Sequence, residues 1–388
     1  MLALCLLLSA CPIVGATSAS GSQPVNWTQV ANEEITATLP VTNQIADQDG
    51  LTQTFGQYHA QYTDTDIVRI IIKLEGNSVL EQGFSSASLS DNEAAIAKMD
   101  DLRAAQADMI PVISQALGTP VTLEASMTLT VNAMAISVPY GTVEQIAALP
   151  GVESVYLDIP YDVPETQPSD EIMTATASSM VGASSAWALG YTGAGSRIAV
   201  IDTGICHYNR SFDSAALMQH LKELYRQETG ADASSDDEIR SYFQLLTAQE
   251  IDRVLPRLNA SALARDLSGE SLHQNDTIAF AFNYQDRNLV THHDSDTQGS
   301  HGSHVSGIAA ANYYVPTSDG GFALASDTVH TVGVAPDAQI ITMKVFGATG
   351  GAYASVYTQA IEDALLLGCD SVNLSLGSAS AGFATAGD

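Results

Sequence analysis

The chain has 388 residues, of which 45% are hydrophobic, so it is long enough to form two or three folded units with buried cores. Its 14 Lys and Arg residues against 44 Asp and Glu residues give a formal net charge of −30. Nucleic acid and anionic lipid surfaces repel such a chain, which argues against nucleic acid as a partner.

The first 19 residues are typical of a secretory signal peptide. An apolar run at residues 2–8 precedes small residues, with cleavage sites near Ala16 and Ala19. The run is too short to cross a bilayer, so the sequence predicts no integral membrane span. We therefore expect a secreted or cell-envelope-associated protein. Leu8-Ser-Ala-Cys11 also resembles a bacterial lipoprotein cleavage box, an alternative in which Cys11 would carry the lipid.

Residues 20–66 are polar and show no sustained period, which predicts a loosely ordered spacer. Strand and helix patterns then alternate through residues 67–162, which predicts a compact α+β domain. These patterns are a β-branched run at 68–74, a capping box at 90–93 before helical spacing, an alternating stretch at 127–138, a short helix near 142–145 and a strand at 152–158.

Residues 163–179 are rich in Pro, Thr, Ser and acidic residues, which predicts an exposed linker that a protease would cut. From residue 180 to 388 the order changes to alternating strands and helices, which predicts an α/β domain with a parallel sheet. Within it, residues 207–277 contain capping boxes and helically spaced apolar residues. We expect two or three helices there, inserted as a surface excursion.

The chain has four cysteines, and Cys5 and Cys11 lie in the predicted leader. Only Cys206 and Cys369 would remain after cleavage, and the sequence leaves open whether they form a disulfide. Two cysteines in so long a chain are too few for a fold that depends on disulfides.

Asp202 ends an apolar strand, in the segment Ile198-Ala-Val-Ile-Asp202-Thr-Gly204. A carboxylate at the carboxyl end of a parallel strand lies where such sheets form their ligand crevice. There it can accept a hydrogen bond from one imidazole nitrogen and stabilise the imidazolium that forms during catalysis. The alternative is an aspartate that only caps a turn.

His301 opens a helix of small residues, in the segment His301-Gly-Ser-His304-Val-Ser-Gly307. It is the candidate general base, and His304 is the competing candidate. Because one helical turn separates the two, they also resemble a metal-binding pair. The helix offers no Glu beside them, and the nearest acids, Asp294 and Asp296, lie in the preceding loop. This disfavours the metal interpretation.

Together these motifs resemble those of the subtilisin-like serine peptidases, the subtilases. The order of an Asp motif followed by a His motif is the family's, and the second segment is similar to its His-Gly-Thr-His-Val-Ala-Gly motif. Further segments match in the same order: Gly333-Val-Ala-Pro336, then Lys344-Val345, then Val372-Asn-Leu-Ser375-Leu-Gly377. The long spacing between the Asp and His motifs is similar to the lactocepin and C5a-peptidase-like cell-envelope branch.

The resemblance implies an α/β, parallel-sheet, subtilisin-like catalytic domain, incomplete at its carboxyl end and preceded by a small α+β propeptide domain. It implies that Asp202 and His301 are triad members and that Ser375, Leu376 and Gly377 pair with substrate main chain as an added strand. It also implies that residues 67–162 inhibit the catalytic domain in cis until the linker is cut. We expect the tail of that domain, residues 155–162, to lie against Ser375 to Gly377.

No Gly-Thr-Ser-Met-Ala-like turn occurs before Asp388, so we expect the nucleophilic serine and the oxyanion asparagine to lie beyond it. The printed chain would then be inactive, as the amino-terminal part of a secreted zymogen that cuts proteins or peptides. The resemblance implies no required cofactor. Calcium binds many members of the family, and the sequence shows no complete cluster of oxygen ligands for it. The alternatives are an inactive pseudopeptidase or protease-binding module, and a metal-dependent hydrolase that uses His301 and His304.

Overall fold

The computed structural model of the protein describes the backbone of Leu6–Leu7 and residues 62–161, 181–328 and 331–376. The predicted leader (apart from Leu6–Leu7), the spacer up to residue 61, the predicted linker at 163–179 and Gly377 lie outside the described residues. The predicted domain boundaries stay predictions.

Residues 62–161, the N-terminal unit, form a four-stranded antiparallel sheet with a long helix against it. The elements are β2 (Ile67–Leu74), α1 (Glu93–Leu117), β3 (Ala125–Met127), β4 (Ala133–Pro139), α2 (Val143–Ala147), β5 (Val152–Leu157) and β6 (Pro160–Tyr161). The strand order in the sheet is β3-β4-β2-β5, in which β2 pairs with both β4 and β5. Along β2 the buried residues alternate with more exposed ones, as the β-branched pattern predicts.

Residues 181–376, the C-terminal unit, are built on a parallel sheet covered by helices, which is the predicted α/β class. The main elements are α3 (Ala183–Ala188), β7 (Arg197–Asp202), β8 (Ile278–Asn283), α9 (His301–Ala310), β9 (Tyr314–Pro316), β10 (Phe322–Leu324), α10 (Ala325–Thr328), β11 (Gln339–Lys344), β12 (Ala352–Tyr353), α11 (Ala354–Leu366) and β13 (Ser371–Asn373). The parallel strands lie in the order β13-β7-β11-β8, and Leu6–Leu7 (β1) lies antiparallel beside β13. The central strands are buried on both faces because helices cover them.

The segment 207–277, which is described throughout, contains five α-helices rather than two or three. The sequence pattern missed two because they are only four and five residues long, too short to show a helical period. Thr247 and Glu250 form the predicted capping box, with reciprocal bonds between side chains and backbone. The helices are α4 (Ser214–Thr229), α5 (Asp236–Tyr242), α6 (Ala248–Val254), α7 (Asn259–Leu263) and α8 (Gly269–Leu272).

Polar side chains end the three adjacent strands β7, β11 and β8 at the same edge of the sheet. Lys344 pairs in register with Asp202 on one side and with Asn283 on the other. Because parallel strands bring their carboxyl ends to one edge, this register collects charged groups in a single crevice. No helix among the described residues is long and apolar enough to span a membrane. Cys206 and Cys369 are both free, so the disulfide that the sequence left open is absent.

Candidate active site

Asp202 is the last residue of β7, and its side chain is almost fully buried. Its Oδ1 accepts hydrogen bonds from the backbone N–H of Thr203 at 2.7 Å and from Nδ1 of His301 at 2.8 Å. A carboxylate can only accept hydrogen bonds, so the proton of the second bond belongs to Nδ1. Asp202 thus selects the tautomer of His301 whose Nε2 does not carry the proton.

His301 is the first residue of α9 and is 9% exposed. The hydrogen bond with Asp202 raises the pKa of the imidazole above its usual 6.5, against the opposing effect of burial. A histidine whose Nδ1 is held in this way presents Nε2 as a base that can take a proton from a hydroxyl nucleophile. The structure therefore brings together the two residues that the sequence predicted as a pair.

Two glycines allow the strand end and the helix start to approach each other this closely. A Cβ on Gly302 would lie 2.3 Å from the carbonyl oxygen of Gly204, which is closer than any real contact. Gly204 itself has φ +104°, and a Cβ there would lie 2.1 Å from the carbonyl oxygen of Thr291. Thr203 completes the junction, since its Oγ1 accepts a hydrogen bond from the Gly302 N–H at 2.9 Å.

A buried ion pair lies next to this junction, between Lys344 at the end of β11 and Asp296 in the loop before His301. The two atoms, Nζ and Oδ2, are 2.6 Å apart, and the side chains are 1% and 4% exposed. Lys344 also donates a hydrogen bond to the carbonyl oxygen of Thr203. The pair thus ties the Asp202 turn to the loop that leads into His301. Sequence reasoning assigned Asp296 no role, although the single Lys at the end of an apolar strand was a signal for a buried partner.

His304, the competing candidate for the general base, is exposed on α9, whereas His301 is buried and bonded to Asp202. His301 meanwhile uses Nδ1 for Asp202 rather than for a metal. Within the described ranges, no group of three or more His, Cys, Asp or Glu side chains is arranged to hold a metal ion.

The predicted substrate-lining segment follows β13. Ser375 and Leu376 are half-buried, and the Ser375 hydroxyl donates a hydrogen bond to Oδ1 of Asn373 at 2.9 Å. Gly377 lies outside the described residues. The tail of the N-terminal unit was expected to lie against Ser375 to Gly377. Its strand β6 instead pairs antiparallel with β12, in the register Tyr161 to Ala352 and Pro160 to Tyr353.

The Asp202–His301 pair lies in the carboxyl-terminal half of the chain, which matches a known protein family. A sequence model of the subtilase family matches residues 193–387, which is half of the chain. The chain belongs to the subtilase family. The match contains both the Asp202 strand and the His301 helix.

Several curated proteinases are similar to this subtilase in sequence. The PII-type proteinase of Lacticaseibacillus paracasei is 28% identical over 325 residues, which cover 82% of this chain and 14% of that protein. The PI-type proteinase of Lactococcus lactis subsp. cremoris is 27% identical over 318 residues, again 14% of its length. The minor extracellular protease Vpr of Bacillus subtilis is 24% identical over 254 residues, 23% of its length. C5a peptidase of Streptococcus pyogenes is also related, which agrees with the predicted cell-envelope branch. This chain thus spans less than a quarter of these relatives.

Solved structures give only distant likenesses. The epidermin leader peptide processing serine protease of Staphylococcus aureus aligns with a TM-score of 0.34 and 12% identity, covering 77% of this chain and 48% of that one. Fervidolysin from Fervidobacterium pennivorans aligns with a TM-score of 0.32 and 13% identity, covering 34% of that chain.

Proposed function

We propose that this subtilase is the amino-terminal part of a secreted serine endopeptidase that is made as a zymogen. Asp202 orients the imidazole, His301 is the general base, and the nucleophilic serine lies outside the described residues. The observation that carries the proposal is the 2.8 Å bond between His301 Nδ1 and Asp202 Oδ1, in a family of serine peptidases.

The geometry supports the following reaction. Nε2 of His301 takes the proton of the serine hydroxyl as its oxygen attacks the peptide carbonyl carbon. Asp202 stabilises the imidazolium, which then gives its proton to the leaving amine as the peptide bond breaks. Water then attacks the acyl carbon while Nε2 of His301 takes its proton, and the imidazolium gives that proton to the serine oxygen as the ester bond breaks and the acid product leaves. Ser375 and Leu376 would pair with the main chain of the substrate.

We further propose that the N-terminal unit is the propeptide, bound in cis. Its tail occupies an edge of the C-terminal unit, since Pro160 and Tyr161 pair with β12. Glu362 of α11, 1% exposed, accepts the backbone N–H groups of Thr128, Leu129 and Thr130 at 2.7 to 3.0 Å. Such an interface is continuous with the folded core, so in the wild-type protein the unit would stay bound until the chain is cleaved. The linker proposed for that cleavage, residues 163–179, lies outside the described residues.

A secreted or cell-envelope location is part of the proposal. The predicted leader at residues 1–19 supports it, and so does the family relationship to a protein named as an extracellular protease. Sequencing of the amino terminus of the protein recovered from culture medium would test the leader. An intact Met1 in the recovered protein would contradict it.

The decisive experiment uses a protein that contains this chain together with its serine-bearing segment. We expect it to cleave internal peptide bonds and to be inactivated by a phosphonate or sulfonyl fluoride, while chelators leave it active. His301→Ala should abolish the cleavage and also the cutting of residues 163–179 in cis. Activity that resists the serine reagent and is lost with chelator would favour the metal-dependent alternative. A folded protein that binds peptides without cutting them would favour the pseudopeptidase alternative.

A further inference from the structure

Two neighbouring acidic residues on α11 bind two different parts of the chain. Glu362 receives the backbone N–H groups of residues 128–130 in the N-terminal unit. Asp363, which is fully buried, receives the backbone N–H groups of Asn259 at 2.6 Å and Ala260 at 2.9 Å in the inserted segment. One turn of one helix therefore fixes the insertion directly beside the docked N-terminal unit.

The inserted segment is held firmly at this point. The hydroxyl of Tyr284 donates a third hydrogen bond to Asp363 at 2.8 Å, and the Asn259 amide donates to the carbonyl oxygen of Gln359 at 3.2 Å. Asn259 and Ala260 are buried. Because the polar groups of this turn are buried and hydrogen-bonded, the inserted segment is rigid here rather than flexible.

Arg103, on the long helix α1 of the N-terminal unit, reaches this turn. Its Nη2 donates to the carbonyl oxygen of Arg257 at 2.7 Å and lies 3.5 Å from Oδ1 of Asn259. Burial raises the pKa of Asp363 to about 7, and the Arg103 charge acts in the opposite direction, as expected for a cation near the carboxylate.

Apolar side chains also connect the N-terminal unit, the insertion and the rest of the C-terminal unit. One of the hydrophobic clusters of the C-terminal unit takes in residues of both the N-terminal unit and the insertion. The N-terminal unit contributes Val79, Leu89, Ala95, Met99, Leu102 and Leu129, and the insertion contributes Leu246, Ile251, Val254, Leu258, Ala260 and Leu272.

We propose that the inserted segment around residues 255–263 is a second docking surface for the propeptide, which recognises α1 through Arg103. The proposal rests on the function proposed above, because it assigns the N-terminal unit as the propeptide. Glu362 and β12 bind propeptide backbone, which any sequence can supply, and their side-chain contacts with Thr130 and Arg69 are made by elements of the peptidase fold itself. Arg103 differs because the partner of its side chain is an element inserted in the peptidase fold. The insertion would therefore favour the chain's own propeptide over those of relatives without it.

Hydrogen exchange on the 388-residue chain tests this without requiring catalysis. The amides of Thr128, Leu129 and Thr130 report docking, because each bonds to Glu362 across the interface. In Arg103→Ala we expect these amides to exchange about fivefold faster or more, since a charge-assisted hydrogen bond across the interface is lost. The amides of β4 should keep their protection, because they belong to the sheet inside the N-terminal unit.

Lys98→Ala is the matched control. Lys98 lies on the same helix and carries the same charge, and within the described residues it has no hydrogen bond or ion pair. It should leave the exchange of residues 128–130 unchanged. If the β4 amides lose protection in Arg103→Ala, Arg103→Gln is measured in its place. Exchange at residues 128–130 that stays at the wild-type rate in the folded Arg103 variant, or rises equally in Lys98→Ala, would overturn the proposal. Neither result would touch the peptidase assignment, which depends on hydrolysis.

Discussion

The His301–Asp202 hydrogen bond should make the stability of the protein depend on pH. The bond raises the folded-state pKa of His301 above its usual 6.5, so the stability that it contributes is fully present below about pH 6.5. That contribution is lost as the pH rises through the folded-state pKa. In Asp202→Asn the bond to an anion is gone and burial alone acts, so the His301 pKa should fall.

Titration of the imidazole by NMR in the 388-residue chain measures this pKa, with His301→Gln to assign the signal. Asp294→Asn is the control, since Asp294 is an exposed acid that bonds to Tyr208 rather than to His301. An unchanged His301 pKa in Asp202→Asn would show that the pair is not the source of the shift.

The Lys344–Asp296 pair is buried, so removal of one partner should be costly. Lys344→Met leaves the Asp296 carboxylate buried and unpaired, and we expect a loss of about 3–5 kcal/mol in the free energy of unfolding. The double variant Lys344→Met/Asp296→Leu should recover part of this loss. The surface pair Lys222–Asp236, with side chains 43% and 50% exposed, is the control, and Lys222→Met should cost under ~1 kcal/mol. Equal losses in urea unfolding would contradict the buried role of Lys344.

How far the site was predictable differs from residue to residue. The positions of Asp202 at a strand end and of His301 at a helix start were predictable, because each residue lies in a motif whose local residue types favour that element. Asp296 and Glu362 were not, because their partners lie 48 and over 230 residues away in sequence. No local pattern records which distant group satisfies a buried charge.

At the scale of elements, the slim start of α9 offers a matched pair of substitutions. A Cβ on Gly302 would collide with the Gly204 carbonyl oxygen, whereas a Cβ on Gly307 would meet nothing within 4 Å. Gly302→Ala should therefore destabilise the protein by about 1–3 kcal/mol or more, since the backbone of the helix start and that of the Gly204 turn must move apart. Gly307→Ala should be neutral or stabilising by up to ~1 kcal/mol, because alanine is the better helix former.

Urea unfolding measures both variants, and NMR of the His301 ring reports whether the Asp202 bond survives. Gly302→Ala with wild-type stability and an unchanged His301 signal would show that the helix and strand can separate at no cost. A large loss in Gly307→Ala would show instead that α9 does not tolerate any added side chain, and the argument from close approach would fail.

The elements themselves were largely predictable from period and capping, and one failure is instructive. The alternating stretch at 127–138 predicted one strand, and the structure has β3 ending at Met127 and β4 beginning at Ala133. The chain leaves the sheet because the N–H groups of residues 128–130 bond to Glu362 instead of to a neighbouring strand. Alternation shows that a strand can form, but it does not show where the backbone finds another partner.

At the scale of the whole molecule, Glu362 joins the N-terminal unit to the C-terminal unit. Its replacement by alanine leaves three backbone N–H groups, those of Thr128, Leu129 and Thr130, without their acceptor. Each unpaired buried donor costs about 1–3 kcal/mol, so the three together should outweigh the contacts that remain, among them the pairing of β6 with β12, the Arg103 bond and the shared apolar packing. We therefore expect Glu362→Ala to release the N-terminal unit while both units stay folded.

Small-angle scattering of the 388-residue chain should show this release as a larger radius of gyration than that of the wild type. Hydrogen exchange should show residues 128–130 unprotected and the amides of β4 and β7 still protected, because each sheet has its own ladder. Glu270→Ala is the control, since Glu270 is an exposed acid in the first turn of α8 and should leave both measurements unchanged. A Glu362→Ala protein with wild-type dimensions and protected residues 128–130 would mean that apolar packing alone holds the units together, because the shared core cluster would then suffice without the carboxylate.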